Sequence, residues 1–582
     1  MENSDTPQDR PKKAVRKAPR RKTANISGPR PKAKSPAPRR AAKKAAPQAP
    51  VRTAVAARPA AIRPQRNFRP FPSPGGDIRW FEYAIWFLLL AAGITGYILF
   101  HRAYYNKIFL APVKTAYYHD DFLRVTLSSR NKGWIRDWQA APPVIKLLSP
   151  SGEEQRGPGG LDRFYMTYDA ARKEWDGVFP CPWNAPPGKY AAALGGDYDG
   201  QKPSAEIDIT RRVPAKIPPH FVVLTMEYAN DYGSMRIKSP DGKVIGREAV
   251  ALWARHLGAD AVWVLVGKTE GHCGQPWNPV DFDAVHDLAI QCHKHGLKFG
   301  VWTMCYLTHI QDGNFFPRYQ WALEVENGAP VKVRSISLLD PTRPDDIADM
   351  LLKFKAMKEV DYLGLDYIRN ALGGYELMDR FYQEMPWAPK PAGWDKLGEQ
   401  RRMAAFASMK IARKDHDFID AWQWWRAHRV GEIVRHIKSR VGSDKPMWAF
   451  TLGWEKGWQH GQDPVMMNDA GIDMDSVMLY EATSDQFADM LKDWSGYIRR
   501  GDVQIVAGNV IDWPLHQDKG LPEYRLRFSK AMRGMYGDGN SKGIFIHDLT
   551  RLIGGRKGPL STEQWAESTR AVISEFRSLK DK

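Results

Sequence analysis

Residues 259 to 304 read ADAVWVLVGKTEGHCGQPWNPVDFDAVHDLAIQCHKHGLKFGVWTM. The first eight are an almost unbroken apolar run, as in a strand buried on both faces. After a connection rich in Gly and Pro, Phe282, Val285, Leu288, Ala289 and Cys292 fall near helical spacing, and LKFGVWTM (297 to 304) is apolar again. Strand, helix, strand is therefore the repeating unit. Working outward, the same alternation gives eight strands: 221 to 228, 259 to 266, 297 to 304, 362 to 370, 446 to 454, 474 to 481, 503 to 510 and 543 to 549. Amphipathic helices separate them. Ile347, Met350, Leu351, Phe354 and Met357 form one apolar stripe, and Val430, Ile433, Val434, Ile437 and Val441 another. Eight such units predict a (β/α)8 barrel over 218 to 582. An open doubly wound sheet usually has fewer strands and a glycine-rich first turn, and neither GxGxxG nor a P-loop follows the first strand here.

Upstream the period changes. FLRVTLSS (122 to 129), PVIKLLSP (143 to 150), RFYMTYD (163 to 169), WDGVFP (175 to 180), KYAAALG (189 to 195) and AEIDIT (205 to 210) are short runs separated by turn-forming groups such as SPSGEE and APPGKY. They predict a small immunoglobulin-like β-sandwich over 113 to 212. Such a domain either binds glycan or spaces a catalytic domain from its anchor, and spacing is the reading adopted.

Further upstream, Ala84 to Phe100 (AIWFLLLAAGITGYILF) carries no charge, and Trp80, Phe81, Tyr83, Tyr104 and Tyr105 flank it. At about 1.5 Å per residue this nearly crosses a hydrocarbon core of about 30 Å, so one transmembrane helix is expected over 80 to 103. It lies too far from the N-terminus for an ordinary signal peptide. Residues 1 to 76 hold twenty Lys and Arg against Glu2, Asp5 and Asp9, so this segment carries +17 of the formal +19 and leaves the remaining chain nearly neutral. Rich in Pro, Ala, Lys and Arg, it cannot bury enough surface to offset chain entropy and is expected to be disordered. Its charge keeps it cytoplasmic and puts everything after the span outside the inner membrane, on the periplasmic side. Contact with anionic lipid is one role for the tail; a solvated orientation signal is the other. Without interleaved aromatics or a recognition module, nucleic acid is not an expected partner. Cys181, Cys273, Cys292 and Cys305 show no CxxC pair, which excludes a disulfide framework and a thiolate zinc site of the usual kind.

Barrel chemistry sits at the C-terminal ends of the strands. Glu227 closes the first, Asp366 lies in the fourth, Glu481 ends the sixth, Asp512 follows the seventh and Asp548 ends the eighth. Trp302, Trp454, Trp458 and Trp513 are expected at the same rim. Acids converging on one mouth among indole rings suit glycoside hydrolysis: one carboxyl protonates the leaving oxygen, another attacks or stabilises the oxocarbenium-like centre, and flat rings take sugar faces. Any one such acid, taken alone, caps a helix or pairs with an arginine. Asp366 is distinctive because it interrupts an apolar strand, where a carboxylate needs a polar cavity or a partner such as Arg369. His272, Cys273 and His309 lack metal-ligand spacing and are read as pocket or core residues, so no metal or cofactor is expected.

VDYLGLDYIRN (360 to 370), WRAHRVGEIVRHIKSRV (425 to 441) ahead of PMWAF, and GIDMDSVMLYEA (471 to 482) resemble the bacterial glycosidase-like barrels grouped as hypothetical glycosyl hydrolases. Residues 271 to 302 are similar to the second and third units of α-L-fucosidases and related retaining enzymes, although Thr269 and Glu270 stand where fucosidases carry a His pair. The resemblance implies Asp366 as nucleophile and Glu481 as acid. Glu227, Trp302, Arg369, Trp454, Asp512, Trp513 and Asp548 are the expected substrate-binding residues. The function expected is a membrane-anchored hydrolase of an extracytoplasmic polysaccharide. The alternative is a catalytically silent barrel that binds glycan or scaffolds the envelope, and a third reading is a tail-driven tether to lipid or nucleic acid.

Overall fold

A computed structural model describes residues 78–582, apart from 197, 229–230, 270–274, 309–317, 480–482, 500, 518, 538–539, 555 and 581–582. The basic tail, Glu270, His272, Cys273, His309 and Glu481 lie outside the described residues. The chain divides at Trp80, and the unit from Phe81 onward contains both β-rich parts.

Ile78–Phe100 is one helix, solvent-exposed along nearly its whole length. Trp80–Tyr105 has the length and mean hydropathy (1.9) of a candidate membrane span. Two four-stranded sheets follow. In the first the order is Ile108–Pro112, Phe122–Ser129, Glu174–Pro180, Tyr165–Asp169, all antiparallel. In the second it is Ala116–Tyr117, Ser204–Ile209, Gly188–Gly195, Val144–Leu148, with only the first pair parallel. Ile145 and Leu147, Tyr190, Ala192 and Leu194, and Ala205, Ile207 and Ile209 alternate inward, the period-two signature of sheets with one buried face. All six strands expected from sequence are present. Ile108–Pro112, which begins only eight residues past the apolar helix, was not anticipated.

The eight remaining long parallel strands close a barrel: β1 Phe221–Met226, β2 Ala261–Gly267, β3 Lys298–Met304, β4 Tyr362–Asp366, β5 Met447–Leu452, β6 Met474–Met478, β7 Ile505–Val510 and β8 Ser541–His547, with β8 pairing back to β1. Each coincides with a strand expected from sequence. The helices between them follow from their caps and stripes. Asp281 accepts from the Ala284 amide to start Phe282–Lys294, whose Ala284, Val285, Leu288, Ala289 and Cys292 face the barrel wall. Asp415 likewise starts the long helix His416–Val441.

Strand parity decides what enters the barrel. Phe221 and Val223 of β1 belong to the inner core, whereas Val222, Leu224 and Met226 pack outward against helices. Inside, Trp263 and Trp448 stack at 4.0 Å, and Trp302 meets Trp448 edge-on at 5.9 Å. They fit because facing positions are glycine: a Cβ on Gly364 would overlap the Trp448 ring and approach Trp302 Cβ to 2.8 Å. This aromatic layer fills the barrel beneath its mouth.

A polar seam joins these two sheets and their connections to the barrel. His119 Nδ1 lies 2.7 Å from Asp469 Oδ2, both buried, and Arg212 Nη1 donates to Asp473 at 2.8 Å. Arg435 pairs with buried Asp120 at 2.5 Å, and Trp183 stacks on Trp458 at 4.1 Å. Trp458 therefore belongs to this seam and not to the mouth; its Nε1 donates to Asp463.

Candidate active site

The parity that buries Phe221 and Val223 carries on to Glu227, one residue beyond β1. On β4, Tyr362 points inward while Leu363 and Leu365 point outward, so Asp366 also enters the mouth, beside Met304 in the register. On β8, Phe545 is inward and brings His547 with it. Acid, acid and imidazole thus converge above the tryptophan layer.

Asp366 is partly open to solvent. Burial, reinforced by the negative charge of Glu227, pushes its carboxyl up to about 7; Arg369 and the Tyr367 amide oppose the rise. That amide donates to Asp366 Oδ1 at 2.7 Å. The bond is held by Tyr367 at φ 49°, a left-handed conformation that a bulky residue adopts only under constraint. Arg369 stacks on the Tyr367 ring at 4.6 Å and bonds His460 Nδ1 at 3.2 Å. The fourth strand thus ends in an acid whose proton affinity is raised by burial first and then by a second acid, against a nearby cation.

His547 Nδ1 lies 3.0 Å from Thr225 Oγ1, and that hydroxyl donates to the Ile546 carbonyl. Its Nε2 faces Glu227 Oε2 at 3.7 Å. Burial, aided by Arg551, lowers the imidazole to about 3, so it is neutral across the physiological range. Glu227, His547 and Asp548 offer possible ligand atoms within 4.8 Å of one another. Both Asp548 oxygens, however, already accept backbone amides, those of Arg551 and Glu227, each at 2.9 Å. Within the trio one hydrogen bond, from the Glu227 amide to Asp548, ties the end of β1 to the end of β8.

These contacts correct the sequence reading of Asp548. It is buried, caps the helix Leu549–Ile553 and engages Glu227 through the backbone, a structural role the sequence reading did not give it. Trp302 is a second correction. At 1 % exposure it lies one inward position below Met304, in the layer that floors the mouth. Trp454 is half-buried, with its ring against the separate core of Phe487, Met490 and Trp494. Asp512 is buried and held by Arg551 at 3.2 Å and Arg556 at 3.0 Å, with burial raising its proton affinity. Trp513 beside it is half-buried, and its ring fills the space a side chain on Gly558 would take. The structure therefore brings Glu227, Asp366 and Arg369 into one neighbourhood.

Sequence reasoning missed His547, Tyr367, His460 and Arg343. Arg343 is a fully buried hub behind the third strand. It donates to the carbonyls of Met304 at 2.8 Å and Cys305 at 2.5 Å and to Thr269 Oγ1 at 2.8 Å, and stacks on Trp277 at 4.0 Å. Inward parity with Phe545 was the available signal for His547; no local pattern marked the others.

No protein-family model matches the chain, and no curated protein matches it. Among solved structures, it is similar to an α-galactosidase from Thermus thermophilus in complex with stachyose, at 14% identity over 68% of this chain and 79% of that one, with a TM-score of 0.31. A broad-specificity endoglucanase from an uncultured bacterium gives 9% identity over 62% and 94%, TM-score 0.34. An endoxylanase from Clostridium papyrosolvens gives 10% over 63% and 74%, TM-score 0.29. The chain's class, an eight-stranded parallel (β/α) barrel, is defined by its own strand order.

Proposed function

We propose that the chain is a membrane-anchored glycoside hydrolase acting on an extracytoplasmic polysaccharide by a two-carboxylate mechanism, with Asp366 as one of the pair. The observation that carries this is Asp366 itself: an inward carboxyl at the top of β4, raised to about 7 by burial and Glu227 and held beside Arg369. A group so poised gives up and regains a proton near neutral pH, as hydrolysis of a glycosidic bond requires. Its ionised form could instead attack the anomeric carbon, the role that the resemblance implies, with Glu481 as the acid. The two roles separate by pH. Acid catalysis by Asp366 makes turnover fall above about 7, whereas nucleophilic attack makes it rise toward that value.

In this reading the apolar helix spans the inner membrane, a disordered basic tail faces the cytoplasm, and the immunoglobulin-like sandwich spaces the barrel from the bilayer. The rival is a silent glycan-binding barrel. It draws support from Trp302, whose buried ring lies in the layer beneath the mouth and so offers no sugar platform there. Release of reducing ends from a panel of envelope and secreted polysaccharides, by the full-length chain and by Asp366→Asn, tests the proposal. Turnover that Asp366→Asn abolishes supports hydrolysis. Turnover equal in the two proteins, or none in either, sinks it.

A further inference from the structure

Beside the mouth lies a cavity of about 310 Å3, walled by the loop after β4 (Leu372, Tyr375), by Lys410, and by Trp422 and Arg426 of the long helix. Its size suits one glycosyl unit, at the lower end of small-molecule sites, roughly 300–1,000 Å3. Arg426 is fully buried. Its Nη2 donates to the Gln459 carbonyl at 2.7 Å, while among the described residues Nε and Nη1 have no hydrogen-bond partner, and neither does Trp422 Nε1. The guanidinium stacks on the Trp422 ring at 4.9 Å, and the Lys410 ammonium sits 5.3 Å over the Tyr375 ring.

The acids nearby each hold at least one contact of their own. Glu324 accepts the Gly373 amide, Glu376 accepts the Leu323 amide at 2.7 Å, and Glu455 takes Arg413 at 2.8 Å and Gln459 at 2.6 Å. Glu324 also lines the cavity, as its one carboxylate against Lys410, Arg413 and Arg426, so the wall carries a net positive charge. Water carries no charge to offset this excess, to which the buried, under-bonded Arg426 guanidinium contributes; an oxyanion does. The cavity also adjoins the mouth. His460 bonds Arg369 on one side, and its imidazole is lowered by burial and then by the charges of Arg369, Arg426 and Lys410.

We infer that this cavity is a subsite for a sugar bearing an oxyanion, a carboxylate or a sulfate ester, one position along from the residue at Asp366. Resting on the hydrolase reading above, it makes the substrate an acidic polysaccharide.

The test reads heat and not turnover, so its failure is separable from failure of the hydrolase reading. The full-length Asp366→Asn chain in detergent is titrated calorimetrically with a methyl hexuronide, a hexose sulfate and the neutral methyl hexoside. At least one charged sugar should bind about tenfold more tightly than the neutral one. Whichever binds identifies the oxyanion. Lys410→Gln, at a partly exposed position, should weaken that binding about tenfold, and Arg426→Lys should do the same by losing the planar fork. Equal affinity for all three sugars, or unchanged affinity in Lys410→Gln, would overturn the inference.

Discussion

Asp366→Asn should make the protein more stable at alkaline pH while disabling it. Because the folded state raises this carboxyl from 3.8 to about 7, it keeps a proton that the unfolded chain has already lost between those values. Unfolding then releases a proton, so stability falls as pH rises through this window and levels off above about 7. The rise corresponds to a ceiling of about 4 kcal/mol. Since the carboxyl is partly open to solvent, about half of that is the working expectation. The carboxamide carries no charge to desolvate and can still accept the Tyr367 amide. Scanning calorimetry of parent and variant in one detergent should show the variant melting a few degrees higher at pH 8, with the gap closing toward pH 4. Hydrolysis, measured on the same preparations, should fall by about a thousandfold or more. If the variant melts below the parent at pH 8, and the deficit persists across the range, Asp366 is a structural partner of Arg369 and the electrostatic account fails.

Glu227→Gln removes the charge that reinforces burial at Asp366, so the activity limb near 7 should move about one pH unit toward acid; a limb that stays in place would refute the coupling. Gly364→Ala forces a methyl against Trp448 and Trp302 and should cost about 1–3 kcal/mol, seen as a lower denaturant midpoint, with part recovered when Trp448→Phe is added. If, as proposed, +17 ahead of the candidate span holds the N-terminus inside, protease added to spheroplasts should digest the barrel and spare the tail; a protected barrel would reverse the proposed orientation.

The barrel was legible because parallel strands covered on both faces leave nearly continuous apolar runs, and their count and spacing survive in the sequence. Insertions were less so. The hairpin Trp321–Glu326 with Ala329–Ile336 and the helices Met378–Glu384 and Glu399–Ala412 are half-exposed additions with no repeat to announce them. At the site, Asp366 stood out because a carboxylate within an apolar strand needs a reason. Its pairing with Glu227 did not, since that depends on two strands at different places in the closed barrel pointing inward at the same height. Trp302 was misread for a similar reason: nearness to a strand's end says little until parity and layer are known. Asp548 shows the converse, a strand-end acid followed by a short helix whose first-turn amide it accepts.

The seam between sandwich and barrel limits how this protein can be cut. Asp469 is fully buried and Asp473 nearly so, and both belong to the barrel, yet His119 and Arg212, which satisfy them, come from the sandwich side of the chain. A barrel excised at residue 218 would expose these carboxylates and the Asp463 contact of Trp458 without their covering ring, Trp183. A start at Lys114 would discard Ile108–Pro112, an edge strand of the first sheet. The smallest transferable piece, in the laboratory or between genomes, therefore begins before Ile108 and carries both β-rich parts together.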